Sequence, residues 1–300
     1  MLDDLWEWDG TSWVQISSDV RPLARYWAAM AYDPFRKSLI LYGGESNQPD
    51  NTALDLADTW EWQSSTRKWS QLSSKSSPGP QGAPGMVTDT GRGKVLLLTV
   101  DNPSAVWEWD GASATWTNRT PVQDTRWPSQ SWSPLVAFDD GRQKMILFDN
   151  ATYGQGTRSS AFWEWDPISA GWASRNSGDF IDLGSSPFPI LAYDSLRRRQ
   201  VLPTNATTTT SPAAPVKTWE LDANGPTWYR RDLPSSPASL TSAAMAFDNQ
   251  RGVMVLFGAG PYDGSNLSET VVGVSIGPDG DAEPTAFPVP LASAAFFPLL

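Results

Sequence analysis

A short tryptophan-based strand recurs five times along the 300-residue chain: Trp6-Glu7-Trp8, Trp60-Glu61-Trp62, Trp107-Glu108-Trp109, Trp163-Glu164-Trp165 and Trp219-Glu220-Leu221. Successive first tryptophans lie 54, 47, 56 and 56 residues apart. After each phrase come a second tryptophan (Trp13, Trp69, Trp116, Trp172 or Trp228) and then an apolar stretch closing on Asp-x-x-Arg or its equivalent. A unit of about 50 residues with several strands cannot bury its apolar faces alone and stacks against copies of itself. The architecture implied is all-β: a β-propeller, whose small antiparallel sheets stand around one axis.

Each unit reads as four strands, A to D. Strand A is apolar and ends in Asp, as in Ala29-Met30-Ala31-Tyr32-Asp33; strand B is apolar, as in Leu39-Ile40-Leu41-Tyr42; C is the Trp-Glu-Trp strand; D opens on the second tryptophan. Such runs of branched and aromatic residues bounded by Gly, Pro, Asn and Ser are strand signals. The A–B turn keeps one spacing: Asp33/Arg36, Asp89/Arg92, Asp139/Arg142, Asp194/Arg197 and Asp248/Arg251. Asp accepts hydrogen bonds from turn backbone. The Arg calls for another partner. Strand C ends near its own unit's A–B turn, and the Glu points opposite to its flanking tryptophans. Glu108 has two candidate partners, Arg142 and Arg92, of which Arg92, in its own unit, is favoured; by the same rule Glu61 is expected to pair with Arg36, Glu164 with Arg142 and Glu220 with Arg197.

The units cover approximately 27–72, 84–120, 134–176, 189–232 and 243–286, within one domain, 1–300. Residues 1–16 supply only strands C and D, so the chain begins in mid-repeat. Residues 291–297 resemble the strand A near 240–247. The expectation is six blades, with the sixth closed by 1–16 together with 291–300, which leaves no open sheet edge.

Composition narrows the chemistry. A net charge of −11, with no basic face, argues against a nucleic-acid partner. The single basic cluster, Arg197-Arg198-Arg199, falls at a turn. There is no cysteine and no histidine, which removes disulfides, the commonest ligands of zinc, copper and haem sites, and every Ser-His-Asp or Cys-His pair. No cofactor is expected, although an oxygen-ligated calcium in a B–C loop, near Asp55 and Asp58, is compatible with the composition. No apolar run is long enough to span a membrane. The N-terminus does not read as a signal peptide. The compartment is therefore open: extracellular or cell-surface if the chain belongs to a longer precursor, cytoplasmic otherwise. A monomer is expected.

The A–B and C–D turns are short and regular. The B–C loops (43–57, 99–105, 149–160, 203–216 and 258–269) vary, and they emerge on the same face as the D–A connections. Variable loops on a rigid scaffold are where function usually sits. Arg25, Tyr26, Trp27, Arg126, Trp127, Trp132, Tyr153 and Tyr262 are the candidate contacts, because Tyr and Trp anchor interfaces and stack on sugars and Arg orients anions. Packing between blades, or capping of carbonyls by the arginines, is the alternative for each. Four Asn-x-Ser/Thr sequons, at Asn118, Asn150, Asn205 and Asn266, barely exceed chance in a chain so rich in Ser and Thr.

Leu39-Ile40-Leu41-Tyr42-Gly43-Gly44, followed by Trp62 and Trp69 with six residues between them, resembles the kelch repeat, and its Trp-Glu-Trp-Asp-Gly form resembles bacterial kelch-like propellers. The resemblance covers nearly the whole chain. It weakens in later units, where Thr99-Val100, Asp149-Asn150, Pro203-Thr204 and Gly258-Ala259 replace the diglycine. Galactose oxidase shares this propeller type, but its copper site uses histidines and a Cys–Tyr crosslink, which this chain lacks. The resemblance leaves three functions: a binding module for a protein or carbohydrate through the B–C/D–A loop face, the leading one; a structural spacer of a larger surface protein; and a sugar-modifying enzyme of the sialic acid mutarotase or glycosidase type. A glycosidase needs two carboxylates facing one cleft. Outside the repeat, Asp50, Asp55, Asp58 and Asp263 are the candidates.

Overall fold

The computed structural model describes residues 3–10, 12–50, 52–100, 104–120, 128, 134–148, 158–182, 190–204, 217–221, 225–231, 241–259, 271–276 and 282–287. Among them every regular element is a strand. The chain opens with a hairpin, β1 (Leu5–Trp8) and β2 (Trp13–Ile16). The first four-stranded sheet comprises β3 (Ala29–Asp33), β4 (Ser38–Tyr42), β7 (Thr59–Gln63) and β8 (Lys68–Leu72), with a small hairpin, β5 (Glu45–Asn47) and β6 (Ala53–Asp55), inserted between β4 and β7. The second holds β9 (Gly85–Asp89), β10 (Lys94–Leu98), β11 (Val106–Asp110) and β12 (Thr115–Asn118). The third holds β13 (Leu135–Asp139), β14 (Lys144–Phe148), β15 (Arg158–Asp166) and β16 (Gly171–Asp182). The fourth holds β17 (Ala192–Asp194), β18 (Arg199–Thr204), β19 (Lys217–Leu221) and β20 (Trp228–Arg231). Two pairs follow, β21 (Thr241–Asp248) with β22 (Val253–Ala259) and β23 (Val271–Ile276) with β24 (Ala282–Phe287). Each four-stranded sheet runs up and down in sequence order. The expected strand A at 291–297 lies outside the described residues.

The A–B turns close as the Asp predicts. Asp33 Oδ1 accepts the backbone N–H of Phe35 and Arg36, and the N–H of Arg92, Arg142, Arg197 and Arg251 reach Asp89, Asp139, Asp194 and Asp248 in the same way. The residue four after each Asp is left-handed: Lys37, Gly93, Gln143, Arg198 and Gly252, with φ between 54° and 69°. Glycine takes this conformation freely at two of the five turns.

Side-chain alternation gives every sheet two apolar faces, and the core lies between sheets. Ala29, Ala31, Ile40 and Tyr42 of the first sheet pack on Met86, Val95, Leu97, Trp109 and Trp116 of the second. Equivalent layers join second to third, third to fourth and fourth to the β21–β22 pair. The second tryptophans Trp69, Trp116, Trp172 and Trp228 are all buried, and the cross-strand pairs Trp62–Trp69, Trp109–Trp116 and Trp165–Trp172 meet with ring centroids 5.4, 5.2 and 5.3 Å apart. The tryptophan ladder is therefore packing.

The four expected Glu–Arg pairs form. Arg36 grips Glu61 (2.7 Å), Arg92 meets Glu108 (2.6 Å) and Arg197 meets Glu220 (2.6 Å). Arg142 stands farther from Glu164, at 4.0 Å, because Arg175 takes that carboxylate at 2.9 Å. The turn arginines also tie neighbours together. Arg36 donates to the carbonyl of Gly111 in the next sheet's C–D turn, and Arg142 to that of Gly225. Arg251 donates to the Asp9 carbonyl, in the equivalent turn of the β1–β2 hairpin. Leu5 and Ile16 of that hairpin pack on Met30, Leu39, Leu41 and Trp62 of the first sheet. The hairpin thus bridges β21–β22 and the first sheet, closing the ring.

Candidate functional site

Three segments meet on the loop face of the first sheet: residues 25–27, leading into β3; the β5–β6 hairpin; and residues 81–82, leading into β9. The hub is the diglycine, with φ +67° at Gly43 and +89° at Gly44. A Cβ at Gly44 would lie 2.7 Å from the Tyr26 carbonyl oxygen and 2.9 Å from the Ala28 nitrogen, so no other residue fits without displacing backbone. Gly44 donates its N–H to Gln81 O (2.8 Å) and accepts from Leu56 N–H (2.9 Å); Tyr26 and Glu45 exchange both backbone bonds (3.0 and 2.9 Å); Gln81 N–H reaches Leu56 O (2.9 Å). Glu45 pairs across the hairpin with Asp55. Tyr26, Glu45 and Asp55 thereby form one cross-strand row.

The Tyr26 hydroxyl donates to Glu45 Oε2 at 2.6 Å. That bond, followed by burial and the charges of Glu45 and Asp55, pushes the phenol up to about 12, so it stays a proton donor at any physiological pH. A Cβ on Gly82 would lie 2.9 Å from both Glu45 Oε1 and Asp55 Oδ1, which puts those oxygens no more than about 6 Å apart. Trp27 stands against Tyr26. It is 46% exposed, edge-on to the Tyr26 ring at 4.7 Å, and left-handed at φ 59°. For a bulky side chain that backbone region is an outlier.

Arg25 has a different role. It is 3% exposed; its guanidinium makes a two-point contact with Asp58 (2.7 and 2.8 Å) and also caps Gly43 O (2.9 Å) and Leu23 O (3.0 Å). The Trp60 indole donates to the same carboxylate at 2.6 Å. Burial works to raise the Asp58 carboxyl, but Arg25's bonds and charge, with the indole, outweigh it and hold the group below the usual carboxylate range. Arg25 therefore anchors the diglycine turn under the site. Asp50 serves its own turn, accepting Thr52 N–H and Oγ1–H.

Arg126, Trp127, Trp132, Tyr153, Tyr262 and Asp263 lie outside the described residues. Glu45 was not singled out in the sequence, although it directly follows the only Gly-Gly pair. Its role depends on a cross-strand register that composition does not reveal. Among the described residues, no group of three or more acidic side chains converges in a way that would hold a metal.

No protein-family model matches the sequence, and no curated protein does. Solved structures do. The chain superposes on YjhT with a TM-score of 0.64 at 12% identity, covering 94% of this chain and 91% of that one. It also matches a Bacteroides thetaiotaomicron protein of unknown function (TM-score 0.54, 13% identity, 88% of this chain and 58% of that one). A fungal alcohol oxidase of the AA5 family, solved in complex with copper, gives a TM-score of 0.54 at 14% identity over 93% of this chain and 56% of that one. The likeness shows the fold, a β-propeller of the kelch and galactose-oxidase type. The copper chemistry does not carry over. With no histidine and no cysteine, the chain lacks the donor set that such a site uses.

Proposed function

We propose that this protein is a binding module that takes a carbohydrate on the loop face of its first sheet. The observation that carries the reading is the exposed Trp27 ring, braced edge-on by Tyr26, whose hydroxyl in turn holds the Glu45 carboxylate. A flat indole offers an apolar platform for a sugar face, and carboxylates accept hydrogen bonds from vicinal hydroxyls. Tyr26, the diglycine and Arg25 fix the geometry before any ligand arrives, which lowers the ordering cost of binding. Arg126, Trp127, Trp132, Tyr153 and Tyr262 are proposed as further contacts from neighbouring loops. A protein ligand on the same face is the other form of this reading.

A glycan array followed by calorimetry tests it. A hit should lose about tenfold or more in affinity in Trp27→Ala and in Glu45→Gln, with folding intact. Unchanged affinity in both variants would place the site elsewhere. A second reading, a sugar-modifying enzyme, is favoured by one observation: the Glu45 and Asp55 carboxylates both face Gly82, and glycoside hydrolysis uses two carboxylates facing one cleft. Turnover of the bound sugar, abolished in Glu45→Gln, would establish it. Silence in the array and in a protein pull-down would leave the structural spacer.

A further inference from the structure

The cross-strand row on the loop face has a fourth member. Tyr26 bridges Glu45, and Glu45 pairs with Asp55. The antiparallel bridge between Leu56 and Gln81 sets Asp55 opposite Gly82 in turn. Successive members of such a row carry their side chains on one face, about 5 Å apart. Gly82 alone brings none. Its backbone does not ask for glycine, because its φ lies outside the left-handed region that Gly43 and Gly44 occupy. What excludes a side chain is the carboxylate pair. A Cβ at this position would lie 2.9 Å from both Glu45 Oε1 and Asp55 Oδ1, and its three nearest neighbours all belong to those two side chains. Two like charges directly opposite one another across a hairpin work against folding. Local rules of this kind are broken most often where a protein functions. The groups around the pair are already fixed: the other Glu45 oxygen accepts the Tyr26 hydroxyl, and the buried Arg25 is bound to Asp58.

Resting on the carbohydrate-binding reading, we propose that Gly82 is the specificity-determining residue of the site: by bringing no side chain it leaves the Glu45 and Asp55 carboxylates converged and uncovered, so that the site takes neutral and amino sugars and turns acidic sugars away. Asp55 is exposed and Glu45 half-exposed, so a ligand can reach both. An ionised carboxylate only accepts hydrogen bonds. Sugar hydroxyls and a protonated amine supply the donors. The carboxylate of an acidic sugar would bring a third negative charge beside the pair, a repulsion that sets specificity by exclusion. Any side chain at position 82 would displace the two carboxylates without straining the backbone.

The test screens the whole protein and its Gly82→Ala variant on an array printed with neutral, amino and acidic glycans, and follows the strongest hit by calorimetry. Hits of the native protein should be confined to neutral and amino glycans. Gly82→Ala should weaken the strongest of them about tenfold or more. Its melting temperature should barely change, because the added methyl meets only the ends of two flexible side chains. A crystal structure of the variant should show both carboxylates turned away from residue 82. Trp27→Ala on the same array separates this inference from the reading beneath it. Hits lost in Trp27→Ala but kept in Gly82→Ala, acidic glycans among the native hits, or carboxylates unmoved in the variant would each overturn the inference and leave the carbohydrate site in place. A large fall in the melting temperature of Gly82→Ala would make the residue structural and overturn it as well. An array silent for the native protein would overturn both the inference and the reading.

Discussion

The first and fourth sheets are spelled from the same phrase and differ in how their polar atoms are satisfied. In the first, Trp60 donates to Asp58 two residues earlier. In the fourth, Lys217 stands in that place, and the buried Trp219 Nε1 has no partner among the described residues. Across the first interface Trp116 Nε1 donates to Thr59 Oγ1 at 3.0 Å. Across the third, the equivalent position is Phe162, edge-on to Trp228, and the Trp228 indole N–H is unpartnered. Leu39, Val95, Met145 and Met254 line the interfaces where the fourth sheet has Gln200, fully buried with both amide atoms unsatisfied. The diglycine that organises the site in the first sheet is Pro203-Thr204 in the fourth. The repeat's apolar geometry tolerates these exchanges because shape and area set it. Each polar partnership depends on one residue and vanishes with it.

The largest expected effects fall on what the sheets share. Trp62→Ala and Trp165→Ala remove buried rings and should each cost about 3–5 kcal/mol in a urea titration; a loss below about 1 kcal/mol would mean that the ladder is not what joins the sheets. Next comes the first sheet's own device. Arg25→Ala strands the Asp58 carboxylate and should cost about 3 kcal/mol, more than the double variant with Asp58→Asn, in which no charge is left unpaired. This pair is also pH-sensitive. The folded Asp58 lies below its unfolded value near ~3.9, so its contribution is complete above that value and is lost as pH falls through the lower folded one. Acid unfolding of Asp58→Asn should therefore begin from lower stability and show a shallower acid limb. Gln200→Met gives the fourth sheet what the others have and should raise stability by about 1–2 kcal/mol; a destabilised variant would show that the amide is satisfied in solution. Smallest is Arg67→Ala at the exposed Glu7 pair, expected within about 1 kcal/mol by thermal melting.

Much was determined by the sequence itself. The period near 50, the Trp-Glu-Trp phrase and the Asp-x-x-Arg turn define the sheets, their strand order and the four Glu–Arg pairs, because each is a local pattern repeated in register and alternation fixes which way a strand's side chains point. The exclusion of histidine- and cysteine-based chemistry was likewise a matter of composition. Tertiary structure decided the rest. Arg25 reads as a surface anion contact until Asp58, 33 residues away, is found to claim it. Glu45 has no signal until a positive-φ diglycine folds the B–C loop into a hairpin and sets it beside Tyr26 and Asp55. The place of the β1–β2 hairpin in the ring rests on Arg251 reaching Asp9, 242 residues apart in the chain. These contacts join segments remote in sequence, and no local pattern encodes the single polar partner each group will meet once the sheets have stacked.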